Sequence, residues 1–85
     1  MPEVTDHEQI LDTLYTAFKN GEQIAAHFRF GHLPPAMQEV SVPFARLAAH
    51  LILTQTRTAE RTVALRKLLE SKDAAVRGAL PEWTR

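Results

Sequence analysis

Arg57-Thr58-Ala59-Glu60-Arg61-Thr62-Val63-Ala64-Leu65-Arg66-Lys67-Leu68-Leu69-Glu70 reads as the entry and first half of an amphipathic helix. Thr58 is suited to the N-cap, where its hydroxyl can accept a backbone N–H that has no partner inside the helix. Glu60 falls in the first turn, where negative charge is favoured by the helix dipole. Leu65, Leu68, Leu69, Val76 and Ala79 recur at three- and four-residue spacing, with the aliphatic stem of Lys72 filling the gap. Pro81 ends the pattern, so the spacing predicts a helix over 58–80 followed by the tail Glu82-Trp83-Thr84-Arg85.

Upstream, Thr54-Gln55-Thr56-Arg57 reads as a tight connection. Before it, Phe44, Leu47, Ala48, Leu51 and Ile52 make an apolar stripe, and Pro43 suits a first helical position, which predicts a helix over 43–53. So short a link predicts that these two helices form an antiparallel hairpin. The stretch Arg29-Phe30-Gly31-His32-Leu33-Pro34-Pro35 reads as a connection, with room for a turn of helix over Ala36–Glu39. A long first helix is expected over 6–28, with Ile10, Leu11, Leu14, Phe18, Ala25 and Phe28 on one face and Thr5 and Glu8 at capping-box spacing. Asn20-Gly21 interrupts that face. The expectation is one continuous helix, packed closely against a neighbour at Gly21. No strand-like alternation or internal repeat is visible, so the class is all-α, a single domain over 1–85 with a long N-terminal helix laid on a helical hairpin.

Eighty-five residues without cysteine leave a thin core and no disulfide to reinforce it, which makes a homo-oligomer the expected source of further burial. No apolar run approaches the ~20 residues that cross a bilayer, and the acidic N-terminus does not resemble a signal peptide, so a cytoplasmic protein is expected. Net charge is zero but unevenly placed. Residues 1–41 carry two basic and six acidic side chains, net −4, and residues 42–85 carry eight basic and four acidic ones, net +4. Two consequences are open: the halves mate with each other or with neighbours, or the basic half meets an anionic ligand.

For catalysis the chain offers little. Ser41 and Ser71 lie in no nucleophile elbow, and His7, His27, His32 and His50 have no metal-ligand spacing, so neither enzyme, cofactor nor metal is expected. Binding has more to recommend it. Arg57, Arg61, Arg66 and Lys67 stand against one acid, Glu60, with hydroxyls at Thr56, Thr58 and Thr62, all around a helix N-terminus. The plainer account is a threonine cap with solvated arginines. Tyr15 and Phe30 are the aromatics least bound to the core, hence available to stack on a base. Only 10 basic residues and zero net charge argue against long nucleic acid and for a compact anion.

The run Glu60-Arg61-Thr62-Val63-Ala64-Leu65-Arg66-Lys67-Leu68-Leu69-Glu70 resembles the Glu-Arg-Ser/Thr-x-Ala-Leu-x-Lys-Leu-x-Glu run of a phage-encoded helical hairpin family that includes anti-CBASS and anti-Thoeris cyclic-nucleotide sponges. Residues 43–52 resemble its first hairpin helix, and Gly21-Glu22-Gln23-Ile24 resembles a Gly-Glu-Glu-Leu stretch of its long first helix. The resemblance covers roughly residues 43–80. It implies a viral immune-evasion protein, acting in the infected bacterial cell, that holds a cyclic di- or trinucleotide or a cyclic ADP-ribose isomer without cleaving it. It further implies homo-oligomers, hexamers in the anti-CBASS members, with pockets between subunits. Carried over by position, Arg61 and Thr62 would contact phosphate, and Lys67 and Glu60 match as well. The rival expectation from the residues is a helical protein–protein interaction module. Lys72-Asp73-Ala74 stand where many relatives carry apolar or aromatic side chains, and residues 30–35 have no counterpart.

Overall fold

The computed structural model describes residues 6–80. They are all-α, with no strand among them: α1 (His7–Lys19), a 3-10 segment (Gln23–Phe28), α2 (Pro35–Thr54) and α3 (Ala59–Ala79). No helix among them is long and apolar enough to cross a membrane.

The first helix is shorter than the periodicity of its apolar residues suggests. Asp6 caps it, its Oδ1 accepting from the Glu8 amide at 3.0 Å; Thr5, the expected cap, lies outside the described residues. At the other end, the Gly21 amide donates to the Phe18 carbonyl (3.0 Å) and the Glu22 amide to that of Ala17 (3.0 Å), while Gly21 takes φ 95°. This is a Schellman ending, which needs a residue that tolerates positive φ just past the cap. The continuous helix expected over 6–28 is therefore corrected: Asn20-Gly21 closes α1, and Gln23–Phe28 follows as a separate 3-10 turn that buries Ala25 and Phe28.

The second helix is longer than expected. It begins with Pro34 as cap and Pro35 at the first position, where a missing N–H costs nothing. It then runs through Pro43, which was expected to start it. An interior proline removes one helical hydrogen bond at a cost of about 3 kcal/mol. Burial of Val42, Ala45, Ala48 and Ala49 along one face opposes that cost. The connection 29–34 is correspondingly short. Phe30, expected to be free, is 2% exposed and meets the His7 ring edge-on, centroids 5.2 Å apart.

The third helix starts as its sequence indicates, with the Thr58 hydroxyl accepting from the Arg61 amide at 3.2 Å. Its most extensive packing is on α2, reached through residues 55–58, and both α1 and α3 also contact the 3-10 segment. Ile10 and Leu14 of α1, Ala45, Ala48 and Ala49 of α2, Phe28 and Leu65 form the centre of the core. The alanines let the helices approach closely, which is how a chain of this size reaches full burial at eleven apolar positions. Three residues assigned to apolar stripes lie outside: Phe18, Leu47 and Ala79 are exposed. Pro81 and Trp83 fall outside the described residues.

Because the Cβ of an alanine at position 21 would meet only the Arg57 guanidinium, at 3.7 Å, the strain of such a change lies in the backbone. Gly21→Ala is expected to destabilise the fold by about 1–2 kcal/mol, and Gly21→Asn by less. Urea denaturation of the three proteins checks the order.

Candidate functional site

The N-terminus of α3 is where sequence placed the anion site, and its central cation turns inward. Arg61 is 7% exposed. Its Nε and Nη2 donate to the two carboxylate oxygens of Glu22, at 3.1 and 2.7 Å, and Nη1 donates to the carbonyls of Ile52 (3.2 Å) and Gln55. Glu22 is itself 5% exposed. One guanidinium thus neutralises a buried carboxylate and satisfies carbonyls at the end of α2, while its own amide is capped by Thr58. The expected phosphate contact at Arg61 is corrected accordingly: its charge and its fork are committed inside the molecule.

The other residues of that segment do not converge. The Thr62 hydroxyl donates back to the Thr58 carbonyl at 3.3 Å. Lys67 is exposed beside Glu70, Nζ to carboxylate 3.9 Å. Glu60 is exposed in the first turn. Arg57 alone joins Arg61 in a recess, a groove of about 350 Å³ that Asp12, Thr13, Thr16 and Asn20 also line. There Arg57 Nη1 donates to the Asn20 carbonyl at 2.8 Å, which fastens the connection before α3 onto the end of α1. With Asp12 and Glu22 present alongside the two arginines, the groove is close to neutral and suits a polar neutral group better than a phosphate.

A second recess is mainly apolar and aromatic, with one arginine in its lining. Leu11, Leu14, Tyr15 and Phe18 of α1 and Ala26 and Arg29 beyond it enclose about 330 Å³. Tyr15 is 59% and Phe18 44% exposed, so both side chains are open to solvent. The Lys19 ammonium lies 5.6 Å from the centre of the Tyr15 ring, within cation–π range. Arg29 fixes its Nε on the Ala26 carbonyl at 3.2 Å, and neither Arg29 nor Lys19 has an ion-pair partner among the described residues. Lys19 stands four residues after Tyr15, Phe18 three, so helical spacing puts them on neighbouring positions.

Sequence reasoning singled out Tyr15 but passed over Lys19, Phe18 and Arg29. The signal was an aromatic pair with a lysine one turn on, at the edge of the apolar stripe. It also passed over Glu22 as the partner of Arg61, for which a glutamate directly after a glycine helix stop was the cue. Among the described residues no three His, Asp or Glu side chains gather as a metal site. Compared with known proteins, the chain matches no family model, no curated protein and no solved structure.

The buried pair sets a stability test. Removing one partner strands a charge in the interior, so Arg61→Ala and Glu22→Ala are each expected to cost about 3–5 kcal/mol. The double change Glu22→Met with Arg61→Met should recover much of that loss. Thr58→Ala should cost about 1 kcal/mol. Denaturant midpoints at constant slope give all four values.

Proposed function

We propose that this protein binds and sequesters a cyclic nucleotide messenger without cleaving it. The observation that carries this is the exposed Tyr15 ring with the Lys19 ammonium beside it and Arg29 on the same hollow. A base stacks on the phenol face and on Phe18; stacking on an aromatic ring is worth about 1–3 kcal/mol per base. Lys19 and Arg29 meet the phosphates, each charge-assisted bond adding about 1.5–3 kcal/mol. Arg29 offers a planar fork whose Nε is already anchored, so little side-chain freedom is lost on binding. The groups around the hollow hold and neutralise a nucleotide and include no carboxylate or imidazole to act as general base, which favours storage over hydrolysis.

The resemblance of residues 60–70 to the sponge family supports the same activity by a separate route, with one change of role. Arg61 serves as the positioning residue that joins α3 to the rest of the molecule, and recognition moves to α1 and the residues after the 3-10 turn. Sequestration within a homo-oligomer built on the α2–α3 hairpin, hexameric as in the anti-CBASS members, belongs to this proposal. Leu47, Leu53 and Val63 are exposed apolar side chains available for subunit contacts. A symmetric assembly would present each platform repeatedly to a nearly symmetric ligand.

The test incubates the protein with a panel of cyclic di- and trinucleotides and cyclic ADP-ribose isomers, removes it, and analyses what heat denaturation releases. Intact ligand recovered from the protein is the expected result. An altered product would make it an enzyme, and no depletion of any panel member would overturn the proposal in favour of an interaction module. For a bound member, Tyr15→Ala and Lys19→Ala are each expected to weaken affinity about tenfold or more by calorimetry, with thermal stability unchanged.

A further inference from the structure

A third recess adjoins the Tyr15 hollow at Ala26 and Arg29 and is unlike the other two in charge. It measures about 400 Å³ and runs between the 3-10 segment with its following connection and the second half of α3. Its polar wall is made of His27, Arg29, His32, Lys72, Asp73 and Arg77, over an apolar floor that includes Leu33 and Val76. The one acid is already matched: Lys72 Nζ lies 3.1 Å from the Asp73 carboxylate. The same ammonium donates to the His27 carbonyl at 3.0 Å, and its side chain is only 14% exposed, so it is held in place as a strut between α3 and the 3-10 turn.

With Lys72 and Asp73 cancelling each other, the remaining charge of the cleft is the two guanidiniums of Arg29 and Arg77. They come from separate elements and neither has an ion-pair partner among the described residues. Like-charged groups gathered on a concave, partly apolar wall concentrate a field of one sign, and guanidinium forks match phosphate oxygens in pairs. The imidazoles of His27 and His32 add neutral or cationic N–H donors at the same wall. The volume lies in the range of small-molecule sites, about 300–1,000 Å³.

We propose that this cleft is a phosphate-binding site for a compact anion such as a pyrophosphate or terminal phosphate group, with Arg77 and Arg29 as the cationic fork and His27 and His32 as further donors. It does not require the nucleotide activity proposed for the Tyr15 hollow. Arg29 and Ala26 line both recesses, however, so a ligand with a second phosphate could extend from one into the other.

The chain's four histidines provide the readout. Inorganic pyrophosphate is titrated into the full chain at constant ionic strength while the ring protons of His7, His27, His32 and His50 are followed by NMR. His27 and His32 are expected to shift with saturation, while His7 and His50, which do not line the cleft, stay in place. Arg77→Ser should weaken the binding about tenfold or more, and Arg77→Lys, which keeps charge without the fork, should fall between. Arg66→Ser, removing an exposed arginine elsewhere on α3, should leave it unchanged. Absence of shifts, equal shifts at all four rings, or equal effects of Arg77→Ser and Arg66→Ser would overturn the proposal. Tyr15→Ala should leave pyrophosphate binding intact, so failure of the nucleotide reading and failure of this one give different results.

Discussion

One ion pair bears on every part of the architecture: Arg61 with Glu22, 39 residues apart and both nearly closed to solvent. Its position explains its importance. Glu22 follows the glycine that ends α1, Arg61 occupies the first turn of α3, and the carbonyls that Arg61 also receives belong to Ile52 and Gln55 at the end of α2. Three helix ends therefore meet at one guanidinium. Each would otherwise leave polar groups facing the interior, because the last carbonyls of a helix have no partner within it. A lysine could neutralise Glu22 but has no planar fork to reach the carboxylate and the two carbonyls together.

The helix ends follow from local chemistry, and they were unevenly legible. Thr58 caps α3 as its position indicated, and Leu65 occupies the core as its spacing indicated. Asn20-Gly21 is visible in the sequence as an interruption, but the apolar spacing continues across it to Ala25 and Phe28, so a periodicity reading carries the helix through it. That spacing survives because a 3-10 turn of six residues keeps Ala25 and Phe28 on the inner side without keeping the helix. Pro43 is the opposite case. Proline normally marks a boundary, and here tertiary burial on both sides of it overrides the local preference. No local rule could weigh that burial, since it depends on which helices pack against α2.

The candidate sites were less legible, for a reason rooted in charge counting. Eight basic residues in the second half of the chain suggest a large positive surface. Folding consumes several of them: Arg61 in the pair with Glu22, Arg57 on the Asn20 carbonyl, Lys72 between Asp73 and the His27 carbonyl. Cations without an ion-pair partner among the described residues include Lys19 and Arg29 in the acidic half and Arg77 near the end of α3. Formal charge counts every arginine equally, whereas a ligand meets only those whose donors are not already in use. Which ones remain depends on contacts between residues tens of positions apart, and a linear pattern does not contain them.

The same distinction bears on the run at residues 60–70. Within residues 60–70, Arg61 and Leu65 are fully inward and Leu68 and Leu69 are partly buried against the core. Their work is to attach α3 to α2 and to the end of α1. The groups that line the hollow and the cleft, among them Tyr15, Arg29, His32 and Arg77, and Lys19 beside the Tyr15 ring, all lie outside the run. Losing Arg61 would strand Glu22 in the core, whereas the side chains lining the two recesses can change with little effect on stability. On this fold residues 60–70 specify the frame, and the proposed recognition rests with α1, the connection after the 3-10 turn and the far end of α3.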